Sequence, residues 1–270
     1  MASFTSRLAD GWEHAQQHTP LAFVPFITAL FNTDKIGAIA NFDGIHFGIN
    51  MSFPINIIDL WGFVSVPNTG VNVYVNGPVG SPLLVSVGLP IALVIQAGLA
   101  AGYFGSISKI IQSNSYDFVS NVQRYFIPFL LYTVIPVAFL LPFILLGFDD
   151  GRGILFSLVI LFIPAYTLLA YLFYATPYLV VLHDTDLLSA ARTSYGLAVK
   201  GGPYFSFALG FLGFTLVTSL FATAIVVNLG FFGIILGVIT AAPVGLAANI
   251  TTMQFVDDID PHSSSGHPEN

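Results

Sequence analysis

The sequence predicts an all-α polytopic membrane bundle of about six transmembrane helices, with cytoplasmic interfacial helices and a small extracytoplasmic β-element. Three observations predict it. Charged residues make up 8% of the chain and hydrophobic ones 55%, with a mean hydropathy of +0.83, whereas a soluble domain carries about 25% charge. The apolar residues come in runs long enough to cross a hydrocarbon core, which takes about 20 residues as helix. The basic residues Arg7, Lys35, Lys109, Arg124, Arg152, Arg192 and Lys200 sit in short polar patches between those runs. None falls between Lys35 and Lys109, a gap that fits the positive-inside bias.

Residues 1–19 read as an N-terminal amphipathic helix, with Phe4, Leu8 and Trp12 recurring on one face. Asp10, Glu13 and two His keep this stretch from forming the apolar core of a signal peptide. Residues 20–42 are the first membrane segment and the weakest, because Asn32, Asp34 and Lys35 interrupt it; it either spans or re-enters. From 43 to 81 the period changes. Ile45, Phe47, Ile49, Met51, Phe53, Ile55 and Ile57 alternate mostly with Gly, His, Asn and Ser, the two-residue repeat of a half-buried strand. Val71, Val73 and Val75 repeat it after the turn Pro67-Asn68-Thr69-Gly70, so an extracytoplasmic β-rich excursion is expected there. Residues 82–255 hold the rest of the bundle, with spans at 82–104, 126–148, 154–182, 203–227 and 229–250 and a tight break at Asn228. Interfacial helices are expected at 105–125 and 184–200. An acidic flexible tail, 256–270, begins with Asp257, Asp258 and Asp260.

Six crossings put both termini on one side. Arg7, Lys109, Arg124, Arg192 and Lys200 assign that side to the cytoplasm and leave Lys35 and Arg152 outside, which places the chain in the cytoplasmic membrane. The net charge of -7, carried by many Asp and few Lys, suits a high-salt cytoplasm such as a halophile's, where screening removes self-repulsion. With no cysteine, neither disulfides nor thiolate metal ligation is available.

Chemistry-bearing residues are scarce. The centres of spans two to six hold no ionisable group, and Gln96 is the strong polar side chain near the middle of span two, either an interhelical hydrogen-bond partner or a substrate contact. His183, Asp184, Asp186 and Arg192 form a polar cluster that resembles a divalent-cation or phosphate site, yet the aspartates also fit a helix N-cap before Leu187, with Asp184 or Thr185 as the cap. No nucleophile elbow, zinc-protease motif or phosphate-binding loop occurs, so no catalytic residue, cofactor or metal is predicted. A nucleic-acid-binding basic patch is also missing. Small residues are better placed: Gly233, Gly237, Ala241 and Gly245 repeat every four residues, and Gly98 and Gly102 form a G-x-x-x-G, both giving faces on which a helix backbone approaches closely. Those faces serve packing within the chain, self-association or a membrane-protein partner, with the lipid bilayer as the surrounding medium.

The run Pro177-Tyr178-Leu179-Val180-Val181-Leu182-His183-Asp184, followed by Leu187-Leu188-Ser189-Ala190-Ala191-Arg192-Thr193-Ser194-Tyr195, resembles a signature of a broad group of prokaryotic six-span proteins. That group is similar to the membrane domain fused to some glycerophosphodiester phosphodiesterases, with archaeal relatives of unknown function. The resemblance implies a six-span architecture. It carries no hydrolase activity over, because the soluble phosphodiesterase domain and its acid and base residues have no counterpart here. The leading functional expectation is a non-enzymatic scaffold or subunit of a membrane complex. The alternatives are a transporter or channel for an apolar, amphiphilic or lipid substrate using Gln96, and a lipid-modifying enzyme built on Asp184, Asp186 and Arg192.

Overall fold

The computed structural model describes residues 3–67, 82–145 and 164–260, so the Val71–Val75 repeat, the start of the 154–182 span and most of the acidic tail lie outside the described residues. Helix α1, Phe4–Gln17, begins where the Ser3 hydroxyl accepts from the Ser6 amide. It lies against the C-terminal half of the last helix, α10 (Gly230–Ile259). Gly11 permits this contact, since a Cβ there would strike the Thr251 hydroxyl and come within 2.7 Å of the Ala247 carbonyl. Arg7 Nη1 donates to Asp258 at 2.5 Å, and the Thr251 hydroxyl donates to the Arg7 carbonyl at 3.2 Å. After a 3-10 turn at Thr19–Ala22, α2 (Phe23–Phe31) also packs on α10. Asn32 then breaks the helix and caps α3 (Thr33–Ala40) by accepting from the Lys35 amide. The first membrane segment is thus two short helices, and α1 and α2 both lie along α10.

Helix α4, Pro82–Ser113, ends at Asn114, whose φ of 55° supplies the left-handed cap. Asp117 then accepts from the Ser120 amide and opens α5, Phe118–Leu145. The expected separate interfacial helices at 105–125 do not form. Ile107 and Ile110 are buried and belong to α4, packing inside the bundle. The α4–α5 hairpin is close because Gly102 faces the Phe118 ring and Gly105 faces Asn121.

The described part of α6, 164–173, continues after a turn at 174–175 into α7, Thr176–Leu182. Asp184, with φ of 51°, ends it. Helix α8, Leu187–Lys200, matches the expected 184–200 element. Its N-cap is Asp186, which accepts from the Leu188 and Ser189 amides at 2.9 and 3.0 Å; Asp184 and Thr185 are not the cap. Gly201 and Gly202, both at positive φ, turn the chain into α9, Pro203–Asn228. The break at Asn228 is as expected: Gly230 at φ 56° reverses the chain into α10, and Gly233 lets α10 touch the Val226 backbone.

The segment 43–67 departs most from expectation. No strand occurs among the described residues. The alternating residues run as extended backbone into the bundle, turn at the 3-10 helix Leu60–Gly62 and come back. Near the α9–α10 turn, Asn228 bonds both the amide and the carbonyl of His46, at 2.8 and 3.1 Å. Further along α9, Ser219 accepts from the Asn50 amide and Thr223 from the Ser65 amide, at 2.7 and 2.9 Å. At the tip, Asn249 accepts from the Ile58 amide at 3.0 Å, and Asn249 lies about 28 Å along α10 from Gly230. An extended chain shows period two whether its backbone is satisfied by strands or by helix side chains; here it is helix side chains. Non-helical backbone at such depth is tolerated only when protein shields it, and Gly245 makes that possible by bringing α10 onto the Ile58 carbonyl.

The core is strongly aromatic. Phe207 stacks on Phe255 with ring centroids 4.0 Å apart, Tyr174 on Tyr204 at 4.2 Å, and Phe104 on Phe129 at 5.5 Å. The outside is apolar too: Phe221, Phe231, Phe232 and Ile239 are among many large side chains left exposed, far more than a water-facing surface carries. Among the described residues, four helices are long and apolar enough to cross a membrane: Gly88–Ser113, Pro164–Leu182, Pro203–Asn228 and Gly230–Ile259.

Candidate functional site

Between α4, α5 and the segment formed by α2 and α3, the re-entrant segment walls a cavity of about 510 Å3, a size typical of small-molecule sites. Helix α4 contributes Ile91, Ala92, Gln96 and Leu99; α5 contributes Phe129, Tyr132 and Thr133; the re-entrant tip contributes Asn56, Ile57 and Asp59, and α2 contributes Thr28. Ile91 and Ile95 on the α4 wall are themselves exposed, so the cavity opens sideways along that helix. Gln96 lies on this wall and makes no hydrogen bond among the described residues. Its amide has both donors and an acceptor to offer.

Asp59 is the ionisable partner that sequence reasoning missed. It sits half-buried on the cavity wall, N-capping the 3-10 turn: its Oδ1 accepts from the Trp61 amide at 2.9 Å, its main-chain carbonyl accepts from the Gly62 amide at 3.1 Å, and Thr28, whose hydroxyl donates to the Pro25 carbonyl, stands beside the carboxylate. Lys35 stands near enough to attract it, with its ammonium 5.7 Å from the centre of the Trp61 ring. The available signal was a lone carboxylate between the apolar pairs Ile57-Ile58 and Leu60-Trp61, inside a stretch of residues assigned to the exterior.

Behind the cavity a polar node fixes the re-entrant tip. Asn249, fully buried, accepts from the Ile58 amide and from the Tyr103 hydroxyl at 3.1 Å, and donates to the Asn56 carbonyl at 3.1 Å and the Tyr178 oxygen at 2.8 Å. The Tyr178 hydroxyl donates to the Pro54 carbonyl at 2.9 Å, and the Tyr132 hydroxyl to the Ile55 carbonyl at 2.6 Å. Each bond replaces one that a strand would have supplied, in a dry setting where an unpaired backbone group costs about 1–3 kcal/mol. None of these side chains stood out in the sequence, because Tyr and Asn in apolar runs have no motif.

The structure separates the other predicted clusters. His183 pairs with Asp260, Asp184 pairs with Arg124, Asp186 binds the start of α8 and the Ser189 hydroxyl, and Arg192 is exposed. No group of metal-ligating side chains occurs among the described residues. These contacts do gather one end of the bundle: the N-terminus, the α4–α5 turn, the α7–α8 junction and the end of α10 meet there. The Arg124 hydrogen bond holds the Asp184 carboxyl below the usual carboxylate range. A depressed folded value stabilises above the unfolded value of about 3.9 and is lost as pH falls through the lower folded one. Thermal stability is therefore expected to drop more between neutral pH and pH 3 in the wild type than in Asp184→Asn, a difference read by paired melting curves; identical pH profiles would show that the pair contributes nothing.

The small-residue faces are occupied from within. Gly233 packs on Val226, Gly237 on Val226 and Leu60, Gly245 on Ile58, and Gly102 on Phe118, while Gly98 only brushes Val122 at 4.0 Å. Ala241 is buried as well.

Apolar spanning helices, an aromatic core and a polar re-entrant element beside a half-polar cavity define a helical polytopic membrane protein. Comparison with family models, with curated proteins and with solved structures returned no match.

Proposed function

We propose that this chain is a six-span protein of the cytoplasmic membrane that binds an amphiphilic or lipid molecule in the cavity beside α4 and moves or presents it. The crossings are the 20–42 segment of α2 and α3, α4, α5, α6 with α7, α9 and α10, with the Arg7, Arg124 and Asp258 end in the cytoplasm by the positive-inside bias. The observation that carries the reading is Gln96: an unsatisfied amide on the wall of a laterally open cavity, with apolar side chains around it and Asn56, Asp59 and Thr133 opposite or beside it. A scaffold role rested on small-residue faces and an apolar external sheet. The first are filled by the chain's own atoms, and of the second the 53–64 part is folded inward while Ile45, Phe47, Ile49 and Met51 stay exposed; the filled packing faces favour ligand handling over partner binding. Protein isolated in mild detergent is expected to retain a lipid-like molecule by native mass spectrometry. Ala92→Trp, which fills the cavity, should abolish retention, and Gln96→Leu should weaken it roughly tenfold, the loss of one buried hydrogen bond. A wild-type protein that carries nothing, with both variants unchanged, would sink this reading.

A further inference from the structure

The cavity's polar end contains a single carboxylate among its described lining residues, and its setting is built in detail. The 3-10 turn Leu60–Gly62 gives the Asp59 carboxylate the Trp61 amide and the Asp59 main-chain carbonyl the Gly62 amide. The Trp61 bond fixes the orientation of the carboxylate. A carboxylate accepts at about four sites, so acceptor capacity remains for a guest, on the side that borders the cavity. Tyr132, the other titratable lining residue, uses its hydroxyl on the Ile55 carbonyl. Lys35, on α3, is not part of the lining; it attracts the carboxylate from nearby, with its ammonium over the Trp61 ring. A lipid-embedded protein keeps a carboxylate at depth for a specific interaction, and capping a three-residue turn does not require one, since Asn caps equally well.

We propose that Asp59 is the head-group anchor of the cavity and that its ligand is an amphiphile bearing a hydrogen-bonding ammonium group, with the chain lying along Ile91, Leu99 and Phe129. The inference rests on the cavity reading above and adds the ligand's charge. The ammonium donates to the free carboxylate site, Gln96 and Asn56 take its remaining polar atoms, and the apolar tail leaves towards the exposed α4 face. An anionic amphiphile meets the carboxylate unfavourably, and a neutral alcohol keeps only the apolar contacts and a weaker hydrogen bond.

The test is equilibrium binding of tritiated dodecylamine, dodecanol and dodecanoate to protein in phosphatidylcholine nanodiscs, with binding to empty discs subtracted. The wild type is expected to hold the amine about tenfold tighter than the alcohol and not to hold dodecanoate. Asp59→Asn, isosteric and still a cap, should erase the preference and leave alcohol binding unchanged. Replacing part of the phosphatidylcholine with phosphatidylethanolamine separates the two sources of an ammonium: reduced amine binding identifies a lipid head group, unchanged binding a free amine, and either supports the anchor. Equal affinities for amine and alcohol in the wild type overturn the charge assignment and leave the cavity reading standing, a comparison that needs no variant. If no probe binds, or Ala92→Trp alters none of the affinities, the cavity reading fails and the anchor with it.

Discussion

Gly245→Ala is expected to destabilise the protein by about 3 kcal/mol or more, the upper range for overpacking. The added methyl group would overlap the Ile58 carbonyl oxygen, which is backbone and has no rotamer through which to escape. Either α10 shifts away from the re-entrant tip or the tip leaves Asn249. In an unconstrained helix the same change stabilises by up to about 1 kcal/mol, so the sign itself reports the contact. Gly213→Ala in α9 is the matched control, since a Cβ there meets nothing within 4 Å. Chemical unfolding in mild detergent measures both. A Gly245→Ala protein as stable as the Gly213→Ala control would mean that the tip does not seat against α10.

Asn249→Leu, of nearly the same size, is expected to cost roughly 4 kcal/mol. Four partners lose their bond at once: the Ile58 amide, the Asn56 carbonyl and the hydroxyls of Tyr103 and Tyr178. Ile58, Tyr103 and Tyr178 are buried in the bundle, and Tyr178 also positions the Pro54 carbonyl. Hydrogen exchange at Ile58 gives a local readout, with protection falling in step with the loss of global stability. Combining Asn249→Leu with Gly245→Ala should cost little beyond the larger single change, because both release the same segment; strict additivity would argue that the two residues act on different elements.

Much of the architecture was legible because solvent selects composition strongly. The 203–227 and 229–250 spans, the break at Asn228, the amphipathic first helix and the element at 184–200 all follow from runs, breaks and caps that operate within a few residues of chain. The inward course of residues 43–67 was not legible, because Ile45, Phe47 and Ile49 show the same alternation against Asn228 and Ser219 as they would against a neighbouring strand. Periodicity reports the local backbone and is silent about who bonds it. For the same reason Ile107 and Ile110 read as an interfacial stripe, although the face they form is covered by other helices. Of the candidate site, Gln96 was visible as a polar residue out of place in an apolar run. Asp59 was hidden by its assignment to an exterior loop, and Asn249, Tyr103 and Tyr178 became significant only once distant segments met.

The bond between the Ile58 amide and Asn249 joins residues 191 positions apart, and this separation dictates an order of assembly. Helix α10 is made well after the 54–58 tip, so while the ribosome is still adding it the tip has no partner for its bare amides and carbonyls, which lipid cannot supply. The tip must wait at the aqueous surface, or on a holding factor, until α10 is in place, and only then slide inward and wall the cavity beside α4. Seating the tip is therefore a post-insertion step, in which a polar strap is drawn between helices already in the membrane.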